Sequence, residues 1–200
     1  KGCKEFIATF NERLPLEIKG EGTYGVEDMN WTPTVHFKGN TIRNNRARGA
    51  LFSSPRRTVC EKNLFDHTSG SAIVLCGDCN GWYESGACYD LVIRKNKFIN
   101  ALTNLFQFTN AVISIYPEVP AISRQTKPLH GGKLGSIVIE KNLFDTFDTP
   151  LLYAKSVSGL RFINNKVVKN TDYQPFHFNQ EPVLFEHTVN SEAPGYQPVK

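Results

Sequence analysis

Short runs of alternating apolar and polar residues recur along the chain, each closing on an asparagine: VHFKGNTI (35–42), TVCEKNLF (58–65), LVIRKNKF (91–98), IVIEKNLF (137–144) and LRFINNKV (160–167). Alternation over so few residues predicts β-strands with one buried face, and no segment shows a convincing helical period. The asparagines are Asn40, Asn63, Asn96, Asn142 and Asn165, separated by 23, 33, 46 and 23 residues. The unit is therefore about 23 residues, with an insert of ten in the second interval. The third interval carries an insert of about one further unit, assigned to PEVPAISRQTKPLHGGKLG (117–135), which is rich in Pro and Gly.

A second apolar run follows each asparagine at about ten residues: ALFSS (50–54), AIVL (72–75), LFQF (105–108) and LLYA (151–154). Two or three short strands per 23-residue turn, repeated and stacked, predict an all-β fold, a right-handed parallel β-helix. Sandwiches and propellers also use strand–turn repeats. Propeller blades need about 40 residues, however, and sandwich turns keep no single register. The recurring Asn suits a tight turn, where it tolerates the left-handed conformation, and stacked copies can form an amide ladder. Residues 35–190 are the expected β-helix domain. Residues 1–34 fall outside the register as a connecting or inserted segment, and 191–200 are a tail. Residues 172–190 read as one more irregular turn.

Composition changes this picture little. Of 200 residues, 40% are hydrophobic and 21% charged, which is ordinary for a globular domain with a sizeable core. No apolar run reaches the 18 or so residues of a membrane helix. The net charge of +4 is spread without a basic block, so nucleic acid is not an expected partner. The first residues, KGCKEFIATF, lack a starting Met and the features of a signal peptide. A processed form or a piece of a longer solenoid is expected.

Candidate chemistry concentrates in the ten-residue insert. LCGDCNGWYESGACYD (75–90) holds Asp78 at its entry, Asp90 at its exit, Glu84 between them, and the adjacent Trp82 and Tyr83. Paired carboxylates are what glycoside hydrolysis needs, and aromatic faces stack on sugar rings. Loops on a rigid scaffold commonly carry function; the bland alternative is a structural loop with solvated acids. Asp66 follows the Asn63 turn and could face the same cleft or be a plain turn acid. Arg43, Arg46 and Arg48 lie one unit earlier and could bind hydroxyls or stay on the surface. Asp145 and Asp148 read as turn residues. Five cysteines leave at least one unpaired. Cys79 and Cys88 could clasp the loop base; otherwise all five are thiols, with Cys60 buried. Cys76-x-x-Cys79 has zinc spacing but no second pair to complete a site, so neither metal nor cofactor is expected.

NNRARGALFSSPRR (44–57) and GSAIVLCGDCNGWYESGACYDLVIRKNKF (70–98) resemble glycoside hydrolase family 110. These are α-1,3-galactosidases that remove terminal galactose from blood-group-B-type and linear α-galactosyl structures. The resemblance runs from about Glu27 to Asn170, and its most specific part is the GDxNxWxESG segment, Gly77 to Gly86. It implies a β-helix catalytic domain, an inverting mechanism with two acidic residues, no metal, and export by a bacterium as a secreted or periplasmic protein. It also implies a chain much longer than this one. On that reading Asp78 and Asp90 are the first catalytic candidates, then Glu84, with Asp66 in reserve. Asn80, Trp82, Tyr83, Arg46 and Arg48 are the candidate substrate contacts, and terminal α-galactosyl glycans the expected partners. The competing readings are a non-catalytic glycan-binding or adhesin β-helix and a polysaccharide lyase or epimerase. A lyase would want a Ca²⁺ cluster or a basic residue beside the acids.

Overall fold

A computed structural model describes residues 7–14, 29–78, 86–104, 110–118, 121–176 and 179–196. Among them the fold is all-β, with only two single-turn 3-10 segments, Met29–Trp31 and Ile122–Arg124. Sixteen strands form three parallel sheets. The first sheet holds β1 (Val35–Lys38), β4 (Thr58–Glu61), β7 (Leu91–Arg94), β11 (Ile137–Glu140) and β14 (Leu160–Ile163) in that order. The second holds β2 (Thr41–Arg43), β5 (Leu64–Asp66), β8 (Lys97–Ile99), β12 (Leu143–Thr146) and β15 (Lys166–Lys169). The third holds β3 (Ala50–Phe52), β6 (Ile73–Leu75), β9 (Ile113–Ile115) and β13 (Leu152–Ser158), with β10 (His130–Gly131) and β16 (Val183–Val189) both pairing to β13. The chain thus visits first, second and third sheet in turn before returning to the first, an arrangement consistent with a parallel β-helix. β7 pairs directly with β11, so the long third interval is an insert rather than a degenerate extra turn.

The register turns the apolar alternation into columns. Phe37, Cys60, Ile93, Ile139 and Phe162 align across the first sheet. Ile42, Phe65, Phe98, Phe144 and Val167 align across the second. Phe52, Leu75, Ile115, Ala154 and Phe185 align across the third. All belong to or pack against one core. In its centre Phe65 and Phe98 stack with ring centroids 5.2 Å apart, and Phe98 and Phe144 at 5.0 Å, a favourable spacing for offset rings. On the outer face of the first sheet Glu61 accepts from Arg94 Nε at 2.8 Å and His36 Nε2 at 3.2 Å. The Arg94 hydrogen bond leads, and these partners hold the Glu61 carboxyl down at about 2.

The amide ladder is present from end to end. Asn63 Oδ1 accepts from the Asn40 backbone N–H at 2.8 Å and from Asn40 Nδ2 at 3.0 Å. Asn96 Oδ1 does the same for Asn63, Asn142 for Asn96 and Asn165 for Asn142, at 2.9–3.1 Å. Each Nδ2 from Asn63 onward also donates to a backbone carbonyl of the preceding first-sheet strand in the stack, namely Phe37, Cys60, Ile93 and Ile139. The left-handed conformation, though, falls one residue earlier than the sequence suggests. Gly39, Lys62, Lys95, Lys141 and Asn164 have φ between 54° and 67°, and the ladder Asn follows each. A side chain in this region costs roughly 1–2 kcal/mol, partly offset by the entropy a glycine would lose. Replacing exposed Lys95 by glycine, the native residue at the equivalent position 39, is expected to stabilise the fold by roughly 0.5–1 kcal/mol. A lower melting temperature for Lys95→Gly would contradict this.

Two further expectations shift. The third-sheet strand of the Asn96 turn is Ile113–Ile115, while the run LFQF lies outside the described residues. The insert 117–135 is also more than an excursion. It lays β10 beside β13, with Leu129 N–H donating to Ser156 Oγ at 2.8 Å and Ser156 Oγ to Gln125 Oε1 at 2.5 Å. The outward Val74, Ser114 and Tyr153 of the third sheet are also buried although they face away from the core.

Candidate functional site at the third-to-first sheet corner

Asp90 immediately precedes β7, where the chain passes from the third sheet to the first. Its carbonyl accepts from Thr58 N–H at 2.8 Å, and the next residue, Leu91, donates to Ser136 O at 2.9 Å. The backbone is thereby fixed between the strands on either side. Its carboxylate takes both oxygens to Arg57 Nη1 at 2.9 Å. Arg57, Asp90 and Ser136 each sit six residues before a ladder asparagine, so they line up along this corner. With Tyr89, Lys133 and the backbone of Gly131, Gly132 and Gly135 they enclose a cleft of about 390 Å³, within the range of small-ligand sites. Tyr89 is 48% exposed. A carboxylate, a guanidinium, a hydroxyl, an amine and an aromatic face around one space can bind a polyhydroxylated ring and offer it an acid or base.

Asp78 lies three residues past β6 and is buried, with 3% of its surface accessible. A Cβ on Gly77 before it would meet Leu129 Cδ2 at 2.5 Å, so a side chain there would have to displace Leu129. The insert 117–135 thus packs against the entry of the loop through Leu129. Asn80, Trp82, Tyr83 and Glu84 lie outside the described residues, as does Cys79. Cys88 is a free buried thiol whose Sγ lies 3.4 Å from Phe52 O, so the Cys79–Cys88 clasp is not formed. Burial pushes the Cys60 and Cys88 thiols up to about 12, which makes both unreactive.

The exit of the loop is instead held by hydrogen bonds. His130 Nδ1 accepts from Cys88 N–H at 3.1 Å, and Gly131 N–H donates to Cys88 O at 2.8 Å. His130 is fully buried and its Nε2 has no hydrogen-bond partner. Burial drives its pKa down to about 4, against a smaller opposing pull from the Cys76 backbone. The unfolded chain binds this proton near pH 6.5, so the stabilisation is complete above that pH and is lost as pH falls towards 4. A loss of up to roughly 3 kcal/mol is expected across that window. His130→Asn, whose Oδ1 can replace the Nδ1 acceptor, should flatten this part of the stability–pH curve; an unchanged slope would contradict the assignment.

Asp66 does not join the cleft. It ends β5, at the corner between the second and third sheets, and Arg43 Nε donates to it at 2.8 Å while His67 Nδ1 donates at 2.5 Å. Burial alone would raise its pKa, but the His67 and Arg43 hydrogen bonds outweigh it and the net shift is downward. Arg46 and Arg48 follow β2 at this same second-to-third corner. Asp145 is a strand residue of β12 rather than a turn acid, whereas Asp148 is in a turn and accepts from Thr149 and Phe176 N–H. Among the described residues no group of three His, Cys, Asp or Glu is placed to hold a metal ion, and no helix is long and apolar enough to cross a membrane. Sequence reading missed Arg57, Tyr89, Lys133 and Ser136. For Arg57 and Ser136 the signal existed: both share the minus-six position with Asp90.

No family model matches the chain. It is 62% identical over 190 residues to alpha-1,3-galactosidase B of Bacteroides fragilis, covering 95% of the chain and 32% of that protein. It is 60% identical over the same length to alpha-1,3-galactosidase B of Phocaeicola vulgatus, with the same coverage of each. Identity to alpha-1,3-galactosidase B of Parabacteroides distasonis is 56% over 192 residues, 96% of the chain and 31% of that protein. The chain thus spans about a third of the length of these curated relatives.

Proposed function

We propose that the protein is an exo-acting glycoside hydrolase of the family 110 type. On this reading it removes terminal α-1,3-linked galactose with inversion and is built on a right-handed parallel β-helix. The observation that carries the reading is 62% identity across 95% of the chain to a protein named alpha-1,3-galactosidase B. The cleft at Asp90 supports it chemically, since its lining offers a pyranose hydrogen-bonding groups, a carboxylate and an aromatic ring.

Inversion needs two carboxyl groups roughly 6.5–9.5 Å apart, so that one protonates the glycosidic oxygen while the other activates water on the opposite face of the ring. Asp90 is the first of the pair, because it lines the cleft on a fixed backbone. Asp78, at the entry of the same loop, is the first choice for the other and Glu84 the second. Asp66, at the other corner, is left out of the pair. Tyr89 supplies a stacking face, alongside the loop aromatics Trp82 and Tyr83. The reading requires no cofactor and places the protein outside the cytoplasm, secreted or periplasmic, where glycans of other cells are met.

The test is a panel of galactobioses joined α-1,3, α-1,4 and α-1,6, with released galactose measured enzymatically. Release confined to the α-1,3 disaccharide is expected. Equal release from the α-1,6 disaccharide, or none from the α-1,3, would sink the proposal.

A further inference from the structure

The corner between the second and third sheets carries a set of side chains that the cleft does not use. Arg43, Asp66, Ile99, Asp145 and Val168 each stand three residues after a ladder asparagine and align in register. Phe65, Phe98 and Phe144 beside them point into the core, so this column points outward. Next to it, the segment 170–176 is pinned at three places. Asn170 Nδ2 donates to Asn100 Oδ1 and Asp145 Oδ1, both at 2.9 Å. Asn100 Nδ2 donates to Asp172 Oδ2 at 2.7 Å, and Phe176 N–H to Asp148 Oδ2 at 2.9 Å. The result is to seat Tyr173 between Phe147, at 5.1 Å between ring centroids, and the edge of His67, at 5.9 Å. Tyr173 remains 40% exposed.

We propose that this corner is a second carbohydrate-binding surface, on which Tyr173 stacks against a pyranose while Arg43, Asp66 and His67 take its hydroxyls. Two observations point to a ligand of this class. An aromatic ring is held by packing yet stays 40% exposed. Planar polar groups flank it with capacity to spare: Arg43 commits only Nε and His67 only Nδ1 to hydrogen bonds among the described residues. With Nδ1–H donating to Asp66, Nε2 of neutral His67 is an acceptor, and the Arg43 Nη groups are donors. The nearby acids Asp145 and Asp172 disfavour a phosphate or sulfate. The ligand class follows from these side chains; the glycosidase reading contributes only the choice of probe.

The test is a residue-resolved NMR titration of the protein with methyl α-D-galactopyranoside up to its solubility limit. The Tyr173 and His67 ring signals are expected to shift together along one binding curve. Tyr173→Ala should weaken that curve about tenfold, while Tyr173→Phe retains it. Should Tyr173→Ala disturb the fold, Arg43→Met, which removes the exposed guanidinium and its hydrogen bond to Asp66, is expected to weaken the curve instead. Asp90→Asn should leave the curve in place, which separates this surface from the proposed cleft: the corner can bind even where turnover fails. Ring signals that stay still at the highest sugar concentration would overturn the proposal. So would a curve abolished by Asp90→Asn, or one indifferent to both Tyr173→Ala and Arg43→Met.

Discussion

Replacing Asn96 by alanine is expected to cost about 4 kcal/mol of stability, the sum of leaving two or three buried polar groups without partners at ~1–3 kcal/mol each. Asn96 is 2% exposed and sits mid-ladder. Its Oδ1 takes the Asn63 backbone N–H at 2.9 Å and Asn63 Nδ2 at 3.0 Å. Its Nδ2 serves Cys60 O at 3.0 Å and Asn142 Oδ1 at 3.1 Å. Alanine strands the Asn63 amide and the Cys60 carbonyl where water cannot reach, and opens a small void beside them. Asn40 is the control. It is exposed at the end of the ladder and donates to Asn63, so Asn40→Ala should cost less than about 1 kcal/mol. Urea unfolding of both variants measures the difference, provided the slope against urea is unchanged. Equal losses would mean that the ladder is ornamental and the apolar columns alone hold the stack.

The second large effect concerns turnover. Asp90→Asn is expected to reduce turnover on the order of 10³-fold, the usual weight of a general acid or base. The same change should alter stability by less than about 1 kcal/mol, because the Arg57–Asp90 pair is half-exposed and screened by solvent. The two readouts pull apart the competing roles of this residue. A catalytic carboxylate loses rate without losing fold. A corner staple loses fold first, and rate only in proportion to the unfolded fraction. A stability loss of several kcal/mol with turnover per folded molecule intact would return Asp90 to a structural role and remove it from the acid–base pair.

What could be read from the sequence was what every turn of the chain must repeat. Each passage from first to second sheet needs an amide that can cap the neighbouring turn, so the asparagines stand out whatever lies between them. The extra residues of the longer intervals fall in connections, where length costs little free energy. For that reason alternation alone did not point to Ile113–Ile115, the third-sheet strand of the Asn96 turn: spacing is free where an insert lengthens the connection. The left-handed position was misassigned because Asn has the highest non-glycine tolerance for it. The ladder instead needs that side chain turned along the stack, and the strain passes to Lys62, Lys95 and Lys141. Partnerships between turns were harder still. Arg57 and Asp90 are 33 residues apart, and only alignment on the ladder asparagines shows that they share a corner. The same alignment moves Asp66 to the neighbouring corner. The contact of His130 with Cys88 has no periodic signal at all, because both residues belong to inserts.

The measurement that tests the central claim most directly is proton NMR of the protein turning over galactosyl-α-1,3-galactose, beside its Asp90→Asn variant. An inverting enzyme with Asp90 in its acid–base pair releases β-galactose first, with the α-anomer appearing only by mutarotation, and the variant releases almost none. Galactose appearing first as the α-anomer would contradict inversion. Release by Asp90→Asn at the parent rate would show that the cleft at this corner is not where the bond is broken.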